Sequence, residues 1–223
     1  MTIDPYLIKR LPRRHPKRLA YTAWARLVEL HSRCFFDEYA IPMVGQPGIP
    51  EAPATDWADT QVKPEHASYL LWALHLTSAV GGCVVEVGSW RGVTTAYLAA
   101  ATDSVVVAVD PYIGDKNEVN LRTFQERTKA SRNVILYRLP FGEAVRRWDA
   151  GPARLIFVDA VHDYVNVRHD LCAATRLASA GAIIAVHDTD NRAFAGCRRA
   201  VYEQLERFEL IAHVPDLVLL RRS

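Results

Sequence analysis

Chemically capable side chains follow directly on several short apolar runs in this sequence. The run 83–87 leads into Glu86-Val87-Gly88-Ser89-Trp90-Arg91-Gly92, and the run 105–109 ends at Asp110. The run 155–158 ends at Asp159 with His162 three residues on, and the run 182–186 ends at His187 and Asp188. Gly88 and Gly92 bracket a turn in which a missing Cβ lets a ligand approach the backbone. Asp110, roughly 20 residues further on, suits hydrogen bonding to ribose hydroxyls. Phe141-Gly142-Glu143, just after the run 134–139, offers a ring against which an adenine could rest. Asp159, His187 and Asp188 would form a ligand set for a divalent cation if their strands are neighbours. His162 carries an imidazole, the side-chain type that could take a proton from a hydroxyl near neutral pH.

The elements needed to hold these groups are legible around them. Continuous apolar runs, rather than alternating ones, suit strands covered by helices on both faces. Helical stretches are expected at 93–101, 118–130, 143–148, 164–178 and 193–207, between the runs. Strand–helix alternation of this kind predicts an α/β, Rossmann-like, doubly wound, mostly parallel sheet. Two further strands at 208–213 and 217–221, joined by Val214-Pro215-Asp216, predict a C-terminal antiparallel hairpin that brings the sheet to seven strands. In such open sheets, ligands sit beyond the carboxyl ends of the strands, where the groups above fall. The glycine pattern is not the G-x-G-x-x-G of a dinucleotide fold.

Residues 1–63 differ in texture from residues 64–223 and read as an N-terminal extension of that domain. They carry a basic cluster (Lys9, Arg10, Arg13, Arg14, Lys17, Arg18), a helix at about 19–39 and a Pro/Gly-rich loop at 41–53. A helix at about 64–80 opens the domain, with Pro64 and Glu65 in its first turn. The basic cluster reads as a solvated face, Asp163 as a helix cap, Asp170 as a solvated acid and His169 as a surface residue. Asp190 and Asn191 read as helix-start residues, and Trp57, Trp72 and Trp90 as packing aromatics. The formal net charge of +2 does not suggest a nucleic-acid binder. No apolar run reaches the roughly 20 residues that span a bilayer, and no secretory signal is visible. The four scattered cysteines suit reduced thiols, so a soluble, cytoplasmic protein is expected.

V-V-E-V-G-S-W-R-G-V-T-T followed by V-V-A-V-D-P resembles the first two motifs of class I S-adenosylmethionine-dependent methyltransferases. L-I-F-V-D-A-V-H-D-Y and A-I-I-A-V-H-D-T resemble the methyltransferase 24 group, related to macrolide-sugar and catechol-type O-methyltransferases and to cephalosporin hydroxylase-like proteins. The resemblance covers roughly residues 64–190. It implies S-adenosylmethionine as cofactor, bound by Glu86, Gly88, Ser89, Gly92, Asp110, Phe141, Gly142 and Asp159. It implies methyl transfer to a hydroxyl of a small-molecule acceptor, a sugar or another natural-product alcohol. In catechol-type relatives the positions of Asp159, His187 and Asp188 hold a metal, but His187 replaces a carboxylate, so Mg²⁺ and another divalent ion both stand open, as does no metal at all. The position of His162 carries a lysine base in catechol-type relatives and a histidine in macrolide-sugar relatives. His162 as base, His187 as base and no protein base all stand open. N-methylation, a hydroxylase-like activity and non-catalytic ligand binding are the alternative functions. No nucleic-acid or membrane partner is expected, and a homo-oligomer is compatible with the extension.

Overall fold

The computed structural model describes residues 4–51, 57–113 and 117–223. The last two positions of the expected Pro/Gly loop, 52 and 53, lie outside the described residues. Seven strands form one sheet: β1 (Cys83–Val87), β2 (Val106–Val109), β3 (Val134–Tyr137), β4 (Ala153–Val158), β5 (Ala178–His187), β6 (Glu209–Val214) and β7 (Leu217–Arg221). Their order is β3-β2-β1-β4-β5-β7-β6, parallel except for β7, which runs antiparallel to both of its neighbours. This is the expected Rossmann-like, doubly wound architecture with its C-terminal hairpin.

Alternate residues of each central strand feed two cores, as the two-residue side-chain period requires. Val85, Val87, Ile156, Val158, Ile184 and Val186 pack on one face beneath α7 (Tyr164–Leu177) and α8 (Ala195–Tyr202). Val84, Leu155, Phe157, Ile183 and Ala185 pack on the other against α3 (Pro64–Leu76) and α4 (Val93–Ala100). Strands β1, β4 and the last six residues of β5 therefore lack a solvated face, which explains why apolar residues dominate their sequences.

The helix starts follow local chemistry. Pro64 opens α3 where its missing N–H costs nothing. Asp163 caps α7 by accepting from Asn166 N–H at 2.9 Å, as expected. Helix α6 spans Phe141–Arg146, two residues earlier than the expected 143–148, because Pro140 supplies its cap and buried Phe141 its first turn. The expected helix 193–207 is instead a single 3₁₀ turn (Arg192–Phe194) followed by the short α8. Asn191 caps the 3₁₀ turn through Ala193 N–H. Asp190 binds Arg198 at 2.6 Å, the His213 ring at 2.9 Å and Asp216 N–H at 2.8 Å, tying α8 to the β6–β7 turn.

In the N-terminal part, α1 (Pro5–Arg10) is a short helix that the proline-broken basic cluster conceals, and α2 (Pro16–Cys34) packs on α7 and α8. Two expectations are corrected here. Asp170 is 1% exposed rather than solvated. His169 is not a surface residue: its ring fills the space beside Gly142 and faces Asp170 at 3.5 Å. Among the described residues all four cysteines are free, and no helix is long and apolar enough to cross a membrane.

Candidate active site

A cavity of about 670 Å³ opens at the carboxyl ends of β1, β2, β4 and β5, within the range for small-molecule sites. Glu86, Gly88, Ser89, Asp110, Phe141, Asp159, His162 and Asp188 all line it. Gly92, Gly142 and His187 do not contribute to its wall and act from behind it.

The donor side is built around Asp110. Its two carboxylate oxygens accept from Trp90 N–H at 3.0 Å and Tyr112 N–H at 2.9 Å. Trp90 and Tyr112 both hold positive φ, 41° and 46°. Tyr112 pins the two loops together: its hydroxyl donates to the Trp90 carbonyl at 2.7 Å and accepts from Ser89 Oγ at 3.1 Å. Nothing in the sequence pattern marked Tyr112, since its role exists only once β1 and β2 lie side by side. Burial pushes the Asp110 carboxyl above its ordinary range, while the two backbone donors pull it back down only in part. Each carboxylate oxygen keeps a further lone pair for a ligand hydroxyl.

The two glycines work differently from the expectation. A Cβ on Gly88 would overlap the Asp159 carbonyl, and one on Gly92 would press on the Phe124 ring. Their missing side chains thus make room for the protein itself, although Gly88 still borders the cavity. Gly142 likewise clears space for His169. Glu86 is 2% exposed and accepts from Thr95 Oγ1. Burial raises its carboxyl to about 8, so it is a neutral acid near pH 7.

The far side of the cavity holds a cluster of two acids and two imidazoles. The β4–β5 pairing sets Val158 beside Val186, so Asp159 and His187-Asp188 emerge together. Asp188 sits at φ 58°, a left-handed conformation that aspartate tolerates better than most residues. Ligand atoms of Asp159, His162 and Asp188 all lie within 4.8 Å of one another. His162 Nε2 is 3.2 Å from Asp188 Oδ2 and 3.9 Å from Asp159 Oδ1. His187 Nδ1 is 3.2 Å from Asp159 Oδ1 and 3.6 Å from Asp188 Oδ2. Burial alone would lower the His187 pKa, but the two carboxylates outweigh it and raise it to about 10. Asp188 shows the counterpart: burial raises it, and His187 and His162 hold it below the usual range.

His66 of α3, absent from the sequence reading, completes this cluster from beneath. Its Nδ1 is 2.9 Å from His187 Nε2, and its Nε2 is 2.9 Å from the Pro215 carbonyl. Burial first, and His187 second, lower its pKa to about 4, so it is neutral. Glu29 of α2 is a second unforeseen positioning group. Its carboxylate accepts from Tyr164 N–H at 3.2 Å and Gly196 N–H at 3.1 Å, capping α7 and α8 where they leave the two ligand loops.

The extension contributes directly to the wall. Tyr6, Lys9 and Arg10 of α1 border the cavity together with Phe141, while Thr60 and Gln61 border it together with Trp90. Two ion pairs, Arg10–Glu143 at 2.7 Å and Arg146–Asp4 at 3.1 Å, fasten α1 to α6. Part of the basic cluster is therefore cavity wall rather than solvated face.

Comparison with known proteins agrees with this geometry. Residues 85–189 match the profile of a methyltransferase domain. No curated protein matches the sequence. Among solved structures, the O-methyltransferase NovP has a TM-score of 0.61 at 18% identity, over 91% of this chain and 99% of its own. The O-methyltransferase from Bacillus cereus in complex with SAH has 0.57 at 16% identity, over 88% and 90%. The O-methyltransferase TomG from Streptomyces achromogenes, in complex with SAM, has 0.56 at 16% identity, over 99% and 95%. At such identities these likenesses establish the fold. The matching segment runs from β1 to the turn after β5, which is the floor of the cavity, and on it the resemblance to class I S-adenosylmethionine-dependent methyltransferases of the methyltransferase 24 group is borne out.

Proposed function

We propose that this chain transfers the methyl group of S-adenosylmethionine to a hydroxyl of a small molecule, a sugar or natural-product alcohol, with the help of a divalent cation. The observation that carries the reading is one cavity lined both by Asp110 and the glycine turn and by Asp159, His162 and Asp188. The similar structures from Bacillus cereus and Streptomyces achromogenes are O-methyltransferases in complex with SAH and with SAM, which supports the donor and the class of acceptor.

In this reading Asp110 accepts from the ribose hydroxyls, and the Phe141 ring borders the adenine. Neutral Glu86 sits by the methionine end. Tyr6 and Lys9 of α1 close over the nucleoside, and Thr60 and Gln61 extend the wall toward the acceptor. We propose that residues 1–63 form the extension and residues 64–223 the methyltransferase domain. The sulfonium is already a reactive donor, so the chain must align the acceptor oxygen and exclude water. Asp159, Asp188 and His162 fit a divalent cation by donor type and spacing. Such an ion, when bound, supplies a Lewis acid that acidifies the acceptor hydroxyl. His162 then serves as a ligand rather than as the free base considered from sequence, because its Nε2 already faces both carboxylates.

The experiment is incubation of the full chain with methyl-labelled S-adenosylmethionine and a panel of sugar, phenol and amine acceptors. Label on hydroxyl acceptors, lost with a chelator and restored by one divalent metal, is the expected result. Label on amines alone, or on none with S-adenosylhomocysteine still bound, would overturn the O-methyl assignment.

A further inference from the structure

We propose that the outward face of α2 is the centre of a two-fold interface, in which it packs antiparallel against α2 of a second copy of this chain. The inference goes beyond the reading of the cavity and does not depend on it.

Helix α2 carries two stripes at helical spacing. Tyr21, Ala25, Val28 and Ser32 form the inner one, and they are buried or half-buried where α2 meets α7 and α8. Ala20, Ala23, Leu27, Leu30 and Cys34 recur by alternating steps of three and four on the opposite side. That side faces solvent. Leu27 is 66% exposed and Leu30 58%, and Leu19 and Trp24 beside them are 55% and 41% exposed. One exposed leucine needs no explanation, but an apolar seam running about four turns marks a contact surface. Glu29, the only acid of α2, points away from the seam and caps α7 and α8.

Size and charge select the occupant. The seam is small at its start, at Ala20 and Ala23, and larger beyond, at Leu27, Leu30 and Cys34. Two such helices match when they run antiparallel about Leu27, the most exposed of these leucines. Ala20 then lies level with Cys34 of the second copy, Trp24 with Leu30, and Leu27 with Leu27. Larger side chains meet smaller ones along the seam, and the three–four spacing suits the shallow crossing of antiparallel bundle helices. Parallel apposition would set alanine on alanine and leave a gap at one end. Charge agrees with the antiparallel order. Arg13, Arg14 and Lys17 at the start of α2 are exposed and make no ion pair among the described residues. Asp37 and Glu38 just past its end are exposed, and the Asp37 side chain stays 81% exposed beside Arg192. The antiparallel register brings each acidic end over the basic start of the other copy, twice per dimer. Arg26 and Arg33 lie along one edge of the seam, where their long side chains reach water.

The test is analytical ultracentrifugation of the full chain together with disulfide trapping. The wild type is expected to be a dimer. Leu27→Glu sets two carboxylates against each other in an apolar seam and raises the dimer dissociation constant at least about a hundredfold. Its far-ultraviolet circular dichroism stays that of the wild type, because the side chain is exposed in a single copy. Under mild oxidation Ala20→Cys becomes a linked dimer through the exposed native Cys34 of the second copy, and adding Cys34→Ser abolishes the link. This trapping result stands whether or not Leu27→Glu folds. Lys17→Glu weakens the dimer about threefold or more, and adding Glu38→Lys recovers most of the loss. A monomeric wild type, a dimer that tolerates Leu27→Glu, no link in Ala20→Cys, or a link that survives Cys34→Ser would overturn the proposal. A monomer that binds phosphatidylglycerol vesicles, with binding lost in Leu27→Glu, would assign the face to an anionic membrane and overturn it as well.

Discussion

The carbonyl of Asp159 occupies the space that a β-carbon on Gly88 would need. This contact joins the two halves of the site. Gly88 N–H donates to Val109 at 2.8 Å and Asp159 N–H donates to Val87 at 2.9 Å, so the donor turn and the ligand loop form one rigid unit. Gly88 also holds φ 95°, which a side chain resists. Gly88→Ala is therefore expected to cost at least about 1–3 kcal/mol, a fall in Tm of about 2–12 °C. Affinities for S-adenosylhomocysteine and for metal should drop together. Calorimetry showing that one is lost and the other kept would mean the two loops move independently.

The Asp110 carboxylate accepts from both Trp90 N–H and the backbone N–H of Tyr112. Asp110→Ala removes the ribose acceptor and leaves two donors to be resolvated. Charged hydrogen bonds of this kind are worth about 1.5–3 kcal/mol, so affinity for S-adenosylhomocysteine should fall about 10- to 100-fold. Metal affinity should stay as in the wild type, since Asp110 is not part of the cluster of Asp159, His162 and Asp188. Titrations with each ligand check both halves of this expectation.

The Glu86 carboxyl gives the unliganded protein a defined pH dependence. Its ordinary value is 4.5 and burial raises it to about 8. Between those values the unfolded chain releases the proton while the folded chain keeps it. The folded state then binds more protons, so this group's contribution to stability declines as pH rises through that window. Glu86→Gln cannot ionise and removes the decline. The Tm of Glu86→Gln relative to wild type should therefore rise from pH 5 to pH 8, as followed by thermal denaturation without ligand. A difference that stays constant across that range would show that Glu86 is ionised in the folded protein.

Much of the scaffold is legible in the residue pattern because β1, β2, β4 and most of β5 are buried on both faces and are dominated by apolar residues, Glu86 and Arg154 being the buried polar members of β1 and β4. The ends of those strands could be read for the same reason: the first polar residue after each run marks where the chain leaves the core. Asp110, Asp159, His162 and Asp188 all reach the cavity on that logic. What escaped the pattern depends on distant segments meeting. His66 lies in an apolar stretch of α3, and its meaning comes from His187, 121 residues away. Glu29 reads as one more helix charge until α7 and α8 present their N–H groups to it. Helix α1 is six residues long, too short for a periodic signal, and is held by side chains of α6 and α7 rather than by its own propensity.

His162 distinguishes a ligand from a free base. Its ring packs on Phe194 with centroids 4.8 Å apart, and its Nε2 faces Asp188 and Asp159. His162→Ala is expected to lower metal affinity about tenfold or more together with turnover, while donor binding is unaffected. Loss of turnover with metal affinity intact would restore the general-base role.

Isothermal titration of the purified chain with S-adenosylhomocysteine tests the account most directly, because the floor of the cavity, from Glu86 through Asp110 to Asp159, is read as a nucleoside-sulfonium site. The account predicts one binding site per chain, a Tm that rises with ligand concentration, and loss of both effects in Asp110→Ala at concentrations that saturate the wild type. No heat and no thermal shift with either S-adenosylhomocysteine or S-adenosylmethionine would contradict it.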